Sequence, residues 1–216
     1  MDRIAPLPSY LAQRYHGWKA TTFTENKGWY RRLAMEGQHP RAMVISCCDS
    51  RIHIVSIFGA DTGEIFIHRN VANLVPPYNP DGAHHGTSAA IEYAVTGLKV
   101  AHLIVLGHSD CGGVRSCHDM CCGKAPELER TDSFVGRWMD ILRPGYDRVA
   151  DMPEGREKLA ALEKEAVVVS LENLLTFPFV SQATQNEDLT VHGLWHDIGD
   201  GQLYHYIGSS HGFEPV

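Results

Sequence analysis

Ala42-Met43-Val44-Ile45-Ser46 runs directly into Cys47-Cys48-Asp49-Ser50-Arg51, and His102-Leu103-Ile104-Val105-Leu106-Gly107 runs directly into His108-Ser109-Asp110-Cys111. Each apolar, β-branched run has the composition of a parallel strand buried on both faces. In an open α/β sheet, chemistry gathers in the crevice beyond the carboxyl ends of such strands. The two strand ends deliver two sulfurs, Cys47 and Cys111, and one imidazole, His108, towards one place, with Asp49 and Arg51 beside them.

The same grammar extends outward. A short helix is predicted near 52–58, and Glu64-Ile65-Phe66-Ile67-His68 reads as a second strand. Pro76, Pro77, Asn79, Pro80, Asp81 and Gly82 mark a loop. Residues 86–95 read as a helix, 101–107 as a strand, and Cys111-Gly112-Gly113 as the opening of the next helix. This alternation predicts an α/β fold, a mainly parallel sheet flanked by helices. Residues 133–181 read as mostly helical, interrupted near Pro144-Gly145 and Pro153, with the charged stretch 155–166 as a solvated face. Residues 189–195 form a late strand, with 202–206 as hairpin partner across Asp200-Gly201. Tyr10, Leu11, Tyr15, Trp18, Phe23, Trp29, Tyr30 and Leu33 recur at helical spacing. They predict a helical arm over 1–37, ahead of an α/β core over 38–216, in one domain.

With 216 residues, 44% hydrophobic and 21% charged, the chain has the balance of an ordinary globular protein. A formal net charge of −7 with scattered Lys and Arg excludes a nucleic-acid surface. No apolar stretch approaches the roughly 18 residues of a membrane span. The start, Met1-Asp2-Arg3-Ile4-Ala5-Pro6, lacks the basic and apolar segments of a secretory signal. Six cysteines without an export signal point to a reducing compartment, hence the cytoplasm.

Zinc takes thiolate and imidazole ligands in a tetrahedron, and a catalytic site keeps one position for water. Cys47, His108 and Cys111 make three ligands. Cys111 sits where a helix should begin, and helix N-termini favour thiolates. Two thiolates cancel the charge of zinc, so its bound water should ionise above the about 7 of a three-histidine site. Asp49 can accept a hydrogen bond from the attacking oxygen, and Arg51 can clamp Asp49 in a bidentate pair that keeps it off the metal. Without that clamp Asp49 becomes a fourth ligand and the site a closed, structural one. Taken alone, Asp49 and Arg51 also read as an ordinary ion pair. Cys117, Cys121 and Cys122, with His118, suggest a second metal site, and Cys117 and Cys121 share a helix face at ligand-compatible spacing, yet free cysteines are also frequent core residues. Cys48 reads as a small filler.

Four blocks in one order resemble the β-class carbonic anhydrases. They are Cys47-x-Asp49-Ser50-Arg51, Arg69-Asn70-Val71-Ala72-Asn73-Leu74-Val75, Gly86-Thr87-x-Ala89-Ala90-Ile91-Glu92-Tyr93-Ala94-Val95 and Gly107-His108-x-x-Cys111-Gly112-Gly113. The likeness runs from about residue 30 to the C-terminus. It implies reversible hydration of carbon dioxide to bicarbonate and a proton by a zinc-bound hydroxide. One Zn2+ per subunit would be held by Cys47, His108 and Cys111, with Asp49 and Arg51 as catalytic pair. It further implies a homodimer or larger assembly with active sites at the subunit boundary.

The plant-type subgroup implies that Gln38 reaches a neighbour's site and that Phe66, Val71 and Tyr93 form an apolar pocket. It also makes the Gly112 N–H a donor to substrate oxygen. Gln38 otherwise reads as a polar turn residue, and Phe66 and Tyr93 as core aromatics. A bicarbonate-gated subgroup places a tryptophan and a tyrosine where this chain has Val44 and His196, so the open-site arrangement is favoured. His84, His85 and Tyr93 are proton-shuttle candidates by nearness to the pocket helix; His84 and His85 also read as solvent-exposed loop residues. The alternatives are a carbonyl sulfide or carbon disulfide hydrolase on the same ligands, and a non-catalytic zinc scaffold.

Overall fold

The computed structural model describes residues 5–82 and 85–216. His84 therefore lies outside the described residues. The chain divides into two compact units, Met1–Gln38 and His39–Val216. The first holds α1 (Ser9–Trp18), a π-helical turn over Lys19–Phe23 and α2 (Lys27–Glu36). Its aromatics pack on one another: Tyr15 on Trp18, Trp18 on Phe23 and Tyr30, and Phe23 on Tyr30, with ring centroids 5.3 to 6.2 Å apart.

The second unit is built on a six-stranded sheet. Its strands are β1 (Ala42–Cys47), β2 (Ile65–Asn70), β3 (His102–His108), β4 (Thr190–His196), β5 (Leu203–Gly208) and β6 (Gly212–Pro215). The spatial order is β2-β1-β3-β4-β5-β6. The first four run parallel, and β5 and β6 continue antiparallel. The connecting helices are α3 (Ile54–Phe58), α4 (His85–Glu92), α5 (Gly112–Cys121), α6 (Phe134–Met139), α7 (Arg143–Val149), α8 (Arg156–Leu174) and α9 (Pro178–Gln185).

The apolar run of β1 is buried on both sides, as its composition requires. Met43 and Ile45 join Leu103, Val105, Ile91, Val167, Leu174 and Phe177 in one cluster. Val44 points the other way, onto Ile52, Ile54, Leu106 and Leu194. Chain order reverses between β1 and β3, which places a crevice beyond their carboxyl ends. Both quoted motifs occupy that crevice.

Helix α8 lies close against β3 and β4 because glycines face it there. A Cβ on Gly107 would sit 2.7 Å from the Val167 side chain, and one on Gly193 would meet Leu171 at 2.7 Å and Val167 at 2.8 Å. Among the described residues no single helix is long and apolar enough to cross a membrane.

The structure corrects several expectations. The stretch 155–166 is no solvated face: Lys158, Leu162, Glu163 and Ala166 are buried. Lys158 hides its charge by donating to Glu154 and to the Ala150 carbonyl, each at 2.9 Å. The interruption near Pro144 is present but lies just upstream: α6 stops at Met139, a 3₁₀ turn spans Asp140–Leu142, and Pro144 occupies the first turn of α7, where its missing N–H is harmless. The helix after 86 ends its regular α geometry at Glu92 and closes in a π-helical turn, Tyr93–Gly97. Asp200-Gly201 is not a two-residue turn. It belongs to a wider loop in which the Asp197 N–H donates to the Gln202 carbonyl. Strand β6 had no sequence signal beyond its neighbour's.

Gly193→Ala forces a methyl into the α8 contact. It should lower stability by about 1–3 kcal/mol, the usual range for overpacking. Urea unfolding checks this, and an unchanged midpoint with unchanged slope would contradict the close-approach argument.

Candidate active site

Cys47 ends β1, His108 ends β3, and Cys111 caps the N-terminus of α5. All three are buried, and their donor atoms lie within 4.8 Å of one another. The Cys47 and Cys111 sulfurs are 3.8 Å apart. A tetrahedral zinc ion with bonds of about 2.3 Å to sulfur separates two sulfurs by about 3.8 Å. His108 Nδ1–H donates to the Ser109 carbonyl at 2.9 Å, which fixes the tautomer and leaves Nε2 as the lone pair. That Nε2 is buried and finds no hydrogen-bond partner among the described residues. An orphaned imidazole nitrogen facing two sulfurs is the donor set of a zinc site. The two thiols also compete for one proton. The hydrogen bond from Cys111 pulls the Cys47 thiol well down, and the same contact, reinforced by burial, pushes Cys111 up.

Asp49 stands two residues beyond Cys47 with both carboxylate oxygens engaged. Arg51 Nε donates to Oδ1 at 2.9 Å and Nη2 to Oδ2 at 2.7 Å, while the Arg51 N–H adds a 2.9 Å bond to Oδ1. This fork, above all, holds the Asp49 carboxyl far below the usual carboxylate range. Arg51 Nη2 also reaches the Asp110 carbonyl at 3.0 Å, tying the first motif to the second. Asp110 adopts φ +54°, a left-handed conformation that Asp tolerates better than most residues, and so turns the chain into Cys111.

The remaining site residues predicted from sequence divide. Val71 lines a cavity of about 650 Å³ with Cys48, Asn70, Thr87, Phe134 and Trp138. Cys48 is therefore exposed on a cavity wall and is not a filler. Phe66 and Tyr93 are in contact, ring centroids 5.9 Å apart, with Phe66 packed on the core and Tyr93 half-exposed. Gly112 opens α5, with open space where a Cβ would stand. Gly113 is the tight one, since its Cβ would meet Val71 at 2.7 Å and Ala72 at 3.0 Å. Gln38 belongs to the first unit and the metal-ligand set to the second. His85 begins α4 and is exposed.

Two supporting residues escaped sequence reasoning. Arg69, at the end of β2, donates from Nε to the Cys47 carbonyl at 2.8 Å and from Nη2 to the Asp49 carbonyl at 2.6 Å. It thus pins the backbone on both sides of Cys48. Glu163, buried on α8, accepts the Cys111 N–H at 3.1 Å. Its signal was available: a lone carboxylate among Leu159, Leu162, Ala166 and Val167 sits on an apolar helix face.

The carbonic anhydrase family model matches residues 42–203. The chain belongs to the β-carbonic anhydrase family. It is 35% identical over 187 residues to β carbonic anhydrase 3 of Arabidopsis thaliana, an alignment covering 85% of this chain and 70% of the relative. The solved β-carbonic anhydrase CcaA superposes with a TM-score of 0.87 at 28% identity, covering 96% of this chain and 98% of that one. A tetrameric β-carbonic anhydrase from Sordaria macrospora gives a TM-score of 0.78 at 28% identity, covering 93% and 96%. As a carbonic anhydrase, the chain is an enzyme of carbon dioxide hydration in general terms.

Burial pushes Glu163 from the usual 4.5 up to about 7. A carboxyl whose folded pKa is raised binds its proton more tightly folded than unfolded, so its contribution to stability falls as pH rises across that interval and stays unfavourable above it. Glu163→Gln keeps an acceptor for the Cys111 N–H without the charge. The variant should therefore gain stability relative to the parent as pH rises through this window. Parallel stability-versus-pH curves for the two proteins would count against a raised carboxyl.

Proposed function

We propose that this β-carbonic anhydrase hydrates carbon dioxide reversibly with one zinc ion on Cys47, His108 and Cys111, and with Asp49 and Arg51 as its catalytic pair. The observation that carries it is the partnerless, buried His108 Nε2 facing two sulfurs 3.8 Å apart, beside a carboxylate held away by a forked arginine. Zinc held there supplies a nucleophile near neutral to alkaline pH by lowering the pKa of a coordinated water.

The protein's own groups do the rest. Asp49 keeps one acceptor position, on Oδ2, beyond those that Arg51 occupies. It takes a hydrogen bond from the attacking water and aims the opposite lone pair at the substrate carbon. Arg51 holds the carboxylate ionised and in place. The Gly112 N–H, in the first helical turn where no intrahelical acceptor exists, donates to the substrate oxygen as negative charge grows there. Carbon dioxide needs an apolar wall and not a hydrogen-bonding one, a role given to Val71, Phe66 and Tyr93. Tyr93 and His85, both exposed, are the described groups that could pass the product proton to solvent.

Gln38 is assigned to the substrate site of a neighbouring subunit in a homodimer or larger homo-oligomer. The tetrameric assembly of the Sordaria relative supports this, as do exposed Phe134, Val135 and Val71 around the cavity. A reducing, cytoplasmic setting is proposed from the cysteine content of the sequence. A sulfur-substrate hydrolase would use the same ligands, and the family relatives support carbon dioxide instead. The Arg51 fork speaks against a closed scaffold.

Stopped-flow hydration on zinc-loaded protein tests the proposal. Arg51→Ala should lose most turnover, on the order of 10²-fold for a removed electrostatic element, while retaining zinc. Near-normal turnover would refute the clamp. The parent's rate should climb between about pH 6 and about pH 9, because two thiolates weaken the pull of zinc on water. A flat profile over that span contradicts the charge argument.

A further inference from the structure

A second set of soft and borderline donors lies at the opposite end of α5. His118 is buried, its side chain 6% exposed, and both of its ring nitrogens face carboxylates. Nε2 is 3.0 Å from Glu154 Oε2, and Nδ1 is 2.9 Å from Asp119 Oδ1 and 3.9 Å from Cys122 Sγ. Tyr146 packs edge-on against the ring, centroids 6.0 Å apart, and restricts its rotation. Cys122 is fixed by the chain reversal that ends the helix. Its N–H donates to the His118 carbonyl, Gly123 takes φ +77°, and the Lys124 and Ala125 N–H groups both close on the Asp119 carbonyl.

We propose that His118 Nδ1, an Asp119 carboxylate oxygen and Cys122 Sγ form a second metal site, for a borderline divalent transition ion of the zinc class. Their donor atoms lie within 4.8 Å of one another. A zinc ion needs nitrogen–oxygen and nitrogen–sulfur separations of about 3.3 to 3.5 Å. The observed 2.9 and 3.9 Å bracket that range, so shifts of a few tenths of an ångström complete the site.

Three further features fit. Glu154 accepts from Nε2–H and thereby turns the Nδ1 lone pair towards the other donors, the orienting carboxylate that metal-bound histidines regularly have. Lys158 and Lys124 each pair with Glu154, at 2.9 and 3.2 Å, and keep it ionised. The site also sits at the C-terminal turn of α5, where the backbone dipole favours a cation even with the His118, Asp119 and Met120 carbonyls already accepting hydrogen bonds. Cys117, the other candidate on this helix, is not a ligand. It is buried on the Met139 carbonyl at 3.6 Å and lies outside the cluster of close donor atoms, whereas Cys122, whose thiol rests on the Asp119 carbonyl at 3.6 Å, lies inside it. The rival occupant of the Nδ1 side is simply a second ring proton.

Zinc content decides between them. The parent, the Asp119→Asn/Cys122→Ser variant and Cys47→Ser are each equilibrated with zinc, desalted and assayed for bound metal. The double variant should hold one equivalent less than the parent, and Cys47→Ser should independently hold one less. Equal zinc in the parent and the double variant overturns the second site, whatever Cys47→Ser does. A loss confined to the double variant instead overturns the ligand set of the active site and leaves this one standing. Cobalt guards against misfolding. In the Cys47→Ser/Cys111→Ser background, a thiolate-to-cobalt charge-transfer band should persist and vanish when Cys122→Ser is added. No band in that background overturns the proposal as well.

Discussion

Arg51 occupies both oxygens of Asp49 at 2.9 and 2.7 Å, and in the proposed zinc site that fork decides between three protein ligands and four. Asp49 is only two residues from Cys47, near enough in sequence for its carboxylate to compete for the same ion. The fork gives the carboxylate a different cation and leaves one acceptor position on Oδ2 open. Because Arg51 is about half exposed, solvent screens the pair and its worth to overall stability is small. Its importance is geometric. Through the Asp110 carbonyl the same guanidinium joins the two strand-end loops, and Arg69 performs the matching task from β2.

That loop network rests on a rigid floor. Parallel β1 and β3 lie side by side where chain order reverses, so their carboxyl ends open onto one crevice with no other strand between them. Behind them α8 approaches closely over Gly107 and Gly193 and carries Glu163 to the Cys111 N–H. A helix at ordinary distance would leave that amide without its carboxylate. Packing of two hydrogen-sized side chains against Val167 and Leu171 is thus felt at a candidate metal ligand, Cys111.

Helix α5 links two unlike electrostatic environments. Its N-terminus, with unpaired N–H groups, begins at Cys111, while its C-terminal turn carries His118 and Cys122. The ten residues between span about 15 Å.

Much of this was legible in the chain itself. Continuous apolar runs such as 42–47 declare strands buried on both faces, and the Cys, His, Asp and Arg side chains that follow them have few other reasons to stand at strand ends. Local chemistry also announced the start of α5 at Cys111-Gly112-Gly113. What required the fold were matters of long-range contact. Whether Lys158 and Glu163 face water or protein depends on what packs against α8; Lys158 finds its partners, Glu154 and Ala150, just upstream, but Glu163 meets Cys111 across 52 residues. Strand β6 exists because β5 offers it an open edge, not because four residues demand extension. The sequence alone determined which atoms are available for chemistry and where along the chain they fall. Only the tertiary structure decided which of them meet, because burial and hydrogen-bond partnership belong to pairs of distant residues, not to any one of them.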